Sequence, residues 1–120
     1  IYLLTAVRGV YYISGLNPTG KTYVTGFPGD SVQHPHHKLV QITKHMIPGL
    51  LVLGPNAYTQ DKRTPKAQGP RSYIDHFEAK AVNESFISHN AAFAALLGSL
   101  NAIFNPPKLK VKCPRRIDCL

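Results

Sequence analysis

A chain of 120 residues is one domain's worth of polypeptide, and a domain of that size buries roughly 65% of the surface its unfolded chain exposes. With 43% apolar and 17% charged residues it is not of the disordered type, and no uninterrupted run approaches the roughly 18 apolar residues of a spanning helix, which argues against a membrane segment. Fourteen Lys and Arg against six Asp and Glu give a formal charge of +8, but Lys108, Lys110, Lys112, Arg115 and Arg116 carry the excess, so the rest of the chain is only mildly basic.

In residues 1–13, Ile1, Leu4, Val7, Val10 and Tyr11 recur at steps of three and four, which predicts an amphipathic helix stopped by Gly15 and Asn17-Pro18. Residues 21–24 predict a short extended piece. Gly26, Pro28, Gly29, Pro35 and Pro48 then punctuate a stretch read as mostly loop, and 50–53 is a brief apolar run. Residues 61–72, with Pro65, Gly69 and Pro70, form a long polar connection of the kind that is uncommon unless functional. A second helix is expected from Asn83, as N-cap, to Phe104. Its core stripe would be Phe86, Ile87, Phe93, Ala94, Leu97, Leu100, Ile103 and Phe104, and Asn105-Pro106-Pro107 ends it. Two helices bury little core between them, and long loops need a rigid scaffold, so a larger body is expected to complete the fold. No repeat and no leader-like segment is recognised in the sequence.

The basic segment 106–120 is a solvated tail or an anion-binding patch. It lacks aromatic residues for base stacking, which favours the first reading, and no nucleic-acid partner is expected. Cys113 and Cys119 flank it and could close a small loop in an oxidising compartment. Residues 15–22 satisfy the G-x-x-x-x-G-K-[ST] phosphate-loop pattern, but that loop must lead into a helix. Tyr23-Val24-Thr25-Gly26-Phe27-Pro28 makes a poor one, so a turn with an exposed Lys21 is the preferred reading.

His34, His36 and His37, with His45 nearby, suggest zinc at first sight, yet Pro35 prevents helical ligand spacing and adjacent histidines do not easily face one ion. No metal and no cofactor is expected. Imidazoles in a loop also bond sugar hydroxyls or carboxylates. Among the six carboxylates, Asp75 and Glu84 lie nine residues apart. Glycoside hydrolysis uses two carboxyl groups in different environments. From spacing alone, however, Glu84 reads as an acidic residue in the first turn of a helix.

Taken together, the segments 17–27 (NPTGKTYVTGF), 35–38 (PHHK) and 73–75 (YID), with Asn83-Glu84 and Asn90-Ala91, resemble in order the C-terminal part of glycoside hydrolase family 9, which holds cellulases and related β-glucan hydrolases. The likeness runs from about residue 7 to about residue 100, through 48–56 (PGLLVLGPN). It implies an all-α fold, the C-terminal portion of an (α/α)6 barrel with long active-site loops, in which 1–105 is catalytic-domain segment and 106–120 tail. It further implies an open cleft for a β-1,4-linked glucan, inverting hydrolysis and an extracellular location. Glu84 resembles the family's general acid, Asp75 its supporting aspartate and His36 its active-site histidine. His37, Lys38 and Asn90 fall at substrate-binding positions, Asn90 also with a plausible scaffolding role. The family's base comes from an Asp-Ala-Gly-Asp type motif upstream, which these residues lack, so the missing N-terminal part of the barrel is an implied partner.

The chain departs from the family's usual residues at Pro28 (Gly), Lys38 (Arg), Lys80 (an aromatic), Phe86 (a small residue) and His89 (often Trp). Arg to Lys loses a planar two-pronged donor, and aromatic to Lys loses a stacking surface. A non-catalytic carbohydrate-binding or structural remnant of the same ancestry is therefore the alternative reading.

Overall fold

The computed structural model describes residues 1–106, so the basic tail and both cysteines lie outside the described residues. The regular structure is helical: α1 (Tyr2–Ile13), α2 (Lys38–Thr43), a single 3-10 turn at Gly69–Arg71, α3 (Lys80–Asn83) and α4 (Ile87–Phe104). Helix α1 ends as its sequence demands. Gly15 takes φ +113°, and the amides of Gly15 and Leu16 turn back to the carbonyls of Tyr12 and Tyr11 at 3.4 and 2.9 Å. This is the bonding of a Schellman stop, for which glycine is the usual residue.

The irregular chain between the helices is a lattice of backbone bonds. Isolated bridges join Thr22 to Ser31, Val24 to Leu51 and His36 to Glu84. Between them Val52 donates to the Tyr23 carbonyl at 3.0 Å, Leu53 to that of Glu84 at 3.1 Å and Gly54 to that of Val82 at 2.9 Å. The residues of the phosphate-loop pattern form a turn. The Asn17 amide nitrogen bonds the carbonyls of Tyr12 and Lys21, while its oxygen accepts from the amide and the hydroxyl of Thr19 at 3.0 and 2.6 Å. Lys21 is not the exposed residue expected. Its side chain is 18% exposed and its ammonium lies 2.6 Å from Asp30.

The core sits in this lattice, on Tyr23, Val32, Val52, Tyr73, Ala79 and Val82, with Leu51 packed against it. Tyr23 meets Tyr73 at a ring separation of 5.0 Å. Full burial of each larger apolar side chain contributes about 1.5–3 kcal/mol. Gly26, at φ +67°, is fixed by crowding as well as conformation, since a β-carbon there would lie 2.9 Å from that of Pro48.

Three further expectations are corrected. The stretch after Pro35 is not all loop, because residues 38–43 make one and a half turns as α2. The second helix does not begin at Asn83: α3 closes there, Glu84 is extended (φ −75°, ψ 142°), and α4 starts only at Ile87. The predicted stripe is also not a core here, since neither α1 nor α4 has a buried residue and Ile87 is 89% exposed. Over its 18 residues α4 has a mean hydropathy of 1.3, long and apolar enough by length and composition to cross a membrane. Ser88, His89, Asn90, Ser99 and Asn101 interrupt it, which is why counting uninterrupted runs passed it over.

Candidate active site

Four segments bring the singled-out residues together. Asp75 is almost enclosed, its side chain 12% exposed, and Lys21 and the His34 ring each lie 3.8 Å from it. Its Oδ2 accepts the Gln33 amide at 2.7 Å, and its Oδ1 accepts the His34 amide at 2.9 Å and the Asn83 side chain at 3.2 Å. A carboxylate so held fixes the backbone on which the histidine segment is carried.

His36 follows directly. Its amide donates to the Asn83 carbonyl at 2.7 Å, and its Nδ1 meets the Phe77 carbonyl at 2.7 Å. A carbonyl only accepts, so Nδ1 carries a proton and Nε2 is the nitrogen left for chemistry. The ring also lies against Phe77, centroid to centroid 4.6 Å. Through the parallel bridge His36 is the backbone neighbour of Glu84, which stands outside any helix. The reading of Glu84 as a first-turn helical acid is thereby replaced, and the nearest cation among the described residues is Lys80, 4.0 Å from Oε2. Glu84 opens on a groove of about 400 Å³ bounded by Leu53, Gln60, Asp61, Lys80 and Phe86.

The histidines diverge. His34 sits beside Asp75, His37 precedes α2 with its Nδ1 buried and unpartnered, and His45 bonds within its own turn to Thr43. No group of three or more metal-ligating side chains forms among the described residues. Lys38 opens α2 and is exposed. Asn90 lies on the first turn of α4, and its side chain is taken up by the protein. Its oxygen accepts the Leu51 amide at 2.8 Å, and its nitrogen meets the Leu51 carbonyl at 3.0 Å, the Ser85 hydroxyl at 3.0 Å and the Phe86 carbonyl at 2.8 Å. Of the two roles expected for Asn90, this geometry fits the scaffolding one.

Sequence reasoning missed two polar anchors. Asn83, fully buried, accepts the Tyr73 hydroxyl at 2.6 Å while its nitrogen meets Asp75 and the carbonyls of His34 and His76. Burial drives the Tyr73 hydroxyl far above its ordinary range, so it stays a neutral donor to Asn83. Asp61 is the second anchor. Burial works to raise its pKa, but hydrogen bonds from Thr64, Arg63 and Ala81 outweigh that and hold it below the usual carboxylate value. The pattern Asp61-x-x-Thr64 was the only available signal, a side-chain turn easily found elsewhere.

The family model of glycosyl hydrolase family 9 matches residues 2–97. A xyloglucan-specific endo-β-1,4-glucanase of Bacteroides ovatus is 44% identical over 106 residues, covering 86% of this chain and 18% of that protein. Endoglucanase A of Bacillus pumilus is 30% identical over 121 residues, covering 92% of this chain and 16% of its own length. Among solved structures, a metagenome-derived family 9 endoglucanase superposes with a TM-score of 0.78 at 37% identity, over 82% of this chain and 18% of that one. A Bacteroides ovatus family 9 structure does so with a TM-score of 0.72 at 43% identity, over 85% and 17%. The chain thus spans less than a fifth of the length of these relatives. Matched in sequence and in backbone across its loops and helices alike, the chain belongs to glycoside hydrolase family 9, as a C-terminal segment of its all-α (α/α)6 barrel.

Proposed function

We propose that the complete polypeptide carrying this chain hydrolyses β-1,4-glucosidic bonds in cellulose or a related β-glucan with inversion at the anomeric carbon. Glu84 gives its proton to the leaving glycosidic oxygen. A carboxylate from the upstream part of the barrel takes a proton from the water that attacks the opposite face of the sugar. His36, through Nε2, hydrogen-bonds the sugar at that subsite, Asp75 holds the loop that carries His36, and His37 and Lys38 border the cleft. The observation that carries this reading is the backbone bridge between His36 and Glu84, beside the Asp75 to Asn83 bond. The substrate class is supported by relatives named as endoglucanases and as a xyloglucan-specific glucanase. A polymeric substrate also argues for an extracellular protein.

The test is Glu84→Gln in the complete polypeptide, which keeps shape and removes the transferable proton. Hydrolysis of carboxymethylcellulose, xyloglucan and cello-oligosaccharides is expected to fall by at least about a hundredfold, in line with losses of general-acid catalysis. In the parent protein, proton NMR of the first product is expected to detect the α-anomer. Undiminished turnover in the variant removes the acid assignment, and a β-anomer removes inversion. A second reading, carbohydrate binding without hydrolysis, is favoured by Lys80, which stands 4.0 Å from Glu84 at the groove. Oligosaccharide binding with no turnover by the complete polypeptide would select it.

A further inference from the structure

Helix α3 is a single turn, and its own N-cap residue, Ala79, provides no side-chain cap. Its second residue, Ala81, instead donates its amide at 3.1 Å to Asp61 Oδ2, from a loop 20 residues earlier in the chain. Asp61 is itself locked. Its Oδ1 accepts the amides of Arg63 and Thr64 at 3.0 and 2.7 Å, and its Oδ2 also accepts the Thr64 hydroxyl at 2.9 Å. Three residues after Ala81 the chain reaches Glu84, which borders the same groove as Asp61. At the far end of α3, Asn83 is tied to Tyr73, His34 and Asp75.

A one-turn helix has no cooperative stability of its own. Its position is therefore set by its surroundings: Val82 is buried in the core, Gly54 donates to the Val82 carbonyl, Asn83 is tied at one end, and the Asp61 carboxylate grips the other. We propose that Asp61 is a positioning residue for Glu84: it holds α3 from the preceding loop and so aims the glutamate carboxyl at the glycosidic oxygen, without touching the substrate itself. This rests on the acid role proposed above for Glu84. Within this one carboxylate Oδ1 serves only the local turn, whereas Oδ2 is shared between the Thr64 hydroxyl and the helix.

The two oxygens can be separated by substitution. Asp61→Asn keeps an oxygen for the amides of Arg63 and Thr64 but presents an NH2 group toward Ala81, which has no lone pair to offer its amide. A displacement of about 1 Å at a catalytic group costs on the order of a hundredfold. In the complete polypeptide, Asp61→Asn is expected to lower kcat on cello-oligosaccharides by roughly ten- to a hundredfold and to leave KM within about twofold, as befits loss of an interaction realised in the transition state. Asp61→Glu keeps the charge and lengthens the arm by one methylene. It is expected to lose kcat likewise, and it carries the test if Asp61→Asn does not fold. Thr64→Val removes only the hydroxyl bond and is expected to keep kcat. Circular dichroism melting on each variant confirms the folded fraction.

Loss of kcat in both Asp61 variants with Thr64→Val unaffected supports the proposal. Full kcat in a folded Asp61→Asn or Asp61→Glu variant overturns it, as does a defect confined to melting temperature. Glu84→Gln assayed alongside distinguishes the two claims: if it retains activity, the acid role has failed; if it is inactive while a folded Asp61 variant is not, only the positioning role has.

Discussion

Asn90 takes up both backbone groups of Leu51 as a neighbouring strand would, and the consequence of removing it can be worked from its four bonds. Asn90→Ala strips the partner from the amide and the carbonyl of Leu51 at once, together with contacts to Ser85 and Phe86. An unsatisfied buried backbone group costs about 1–3 kcal/mol. Leu51 is only half-buried, so the two together are set toward the low end, at about 2–3 kcal/mol. By the tenfold-per-1.4 kcal/mol rule that is roughly a 30- to 150-fold rise in local opening. The assay is amide hydrogen exchange, read for Leu51 by NMR or by mass spectrometry of a peptide spanning 50–53 in the complete polypeptide. The variant should exchange that much faster at Leu51. Asn90→Asp, which keeps the oxygen facing the Leu51 amide but sets a second oxygen against two carbonyls, should fall between the variant and the parent. Unchanged exchange at Leu51 in Asn90→Ala would refute the clamp, and with it the claim that α4 is fastened to the loop lattice at this point.

Gly26→Ala combines a positive φ with a 2.9 Å approach to Pro48, so we expect a loss of about 1–3 kcal/mol, measured as a lower urea midpoint with unchanged slope. Burial raises the hydroxyls of Tyr73 and Tyr23, and the folded protein therefore favours their neutral forms. The sign follows: this contribution to stability is whole below the unfolded tyrosine value of about 10 and is lost as pH climbs above it. Ring-carbon NMR titration should find both rings still neutral when an ordinary tyrosine has ionised, and ionisation of Tyr73 near 10 in the folded protein would contradict its burial.

Helix α1 was legible almost to the residue because its period, Gly15 and Asn17-Pro18 all agree, and nothing tertiary competes with them. At the other end of the chain the local signal misled. Asn83 has the side chain of an N-cap, but its amide is spent on Tyr73, His34 and Asp75, so it closes α3 instead of opening α4. The short α2 was hidden between Pro35 and Pro48. The apolar stripes were read as the core of this segment, whose own core is built from loop residues instead. For the site, spacing alone left Asp75 and Glu84 an ordinary pair, and only the ordered resemblance drew them to His36. Asp61 and the buried role of Asn83 stayed illegible, since each acts across many residues of intervening chain and neither lies in a period or a dense motif.

The parallel bridge between His36 and Glu84 makes these two residues a single mechanical unit, linked through main chain instead of through flexible side-chain tips. When the surrounding structure moves, the main-chain spacing of the two residues is held by peptide geometry, and only the side-chain torsions of the imidazole and the carboxyl are left to vary. Under the function proposed above, adjustment to glucans of different width or decoration falls to the upstream wall, and the pair carried here serves as the fixed jaw.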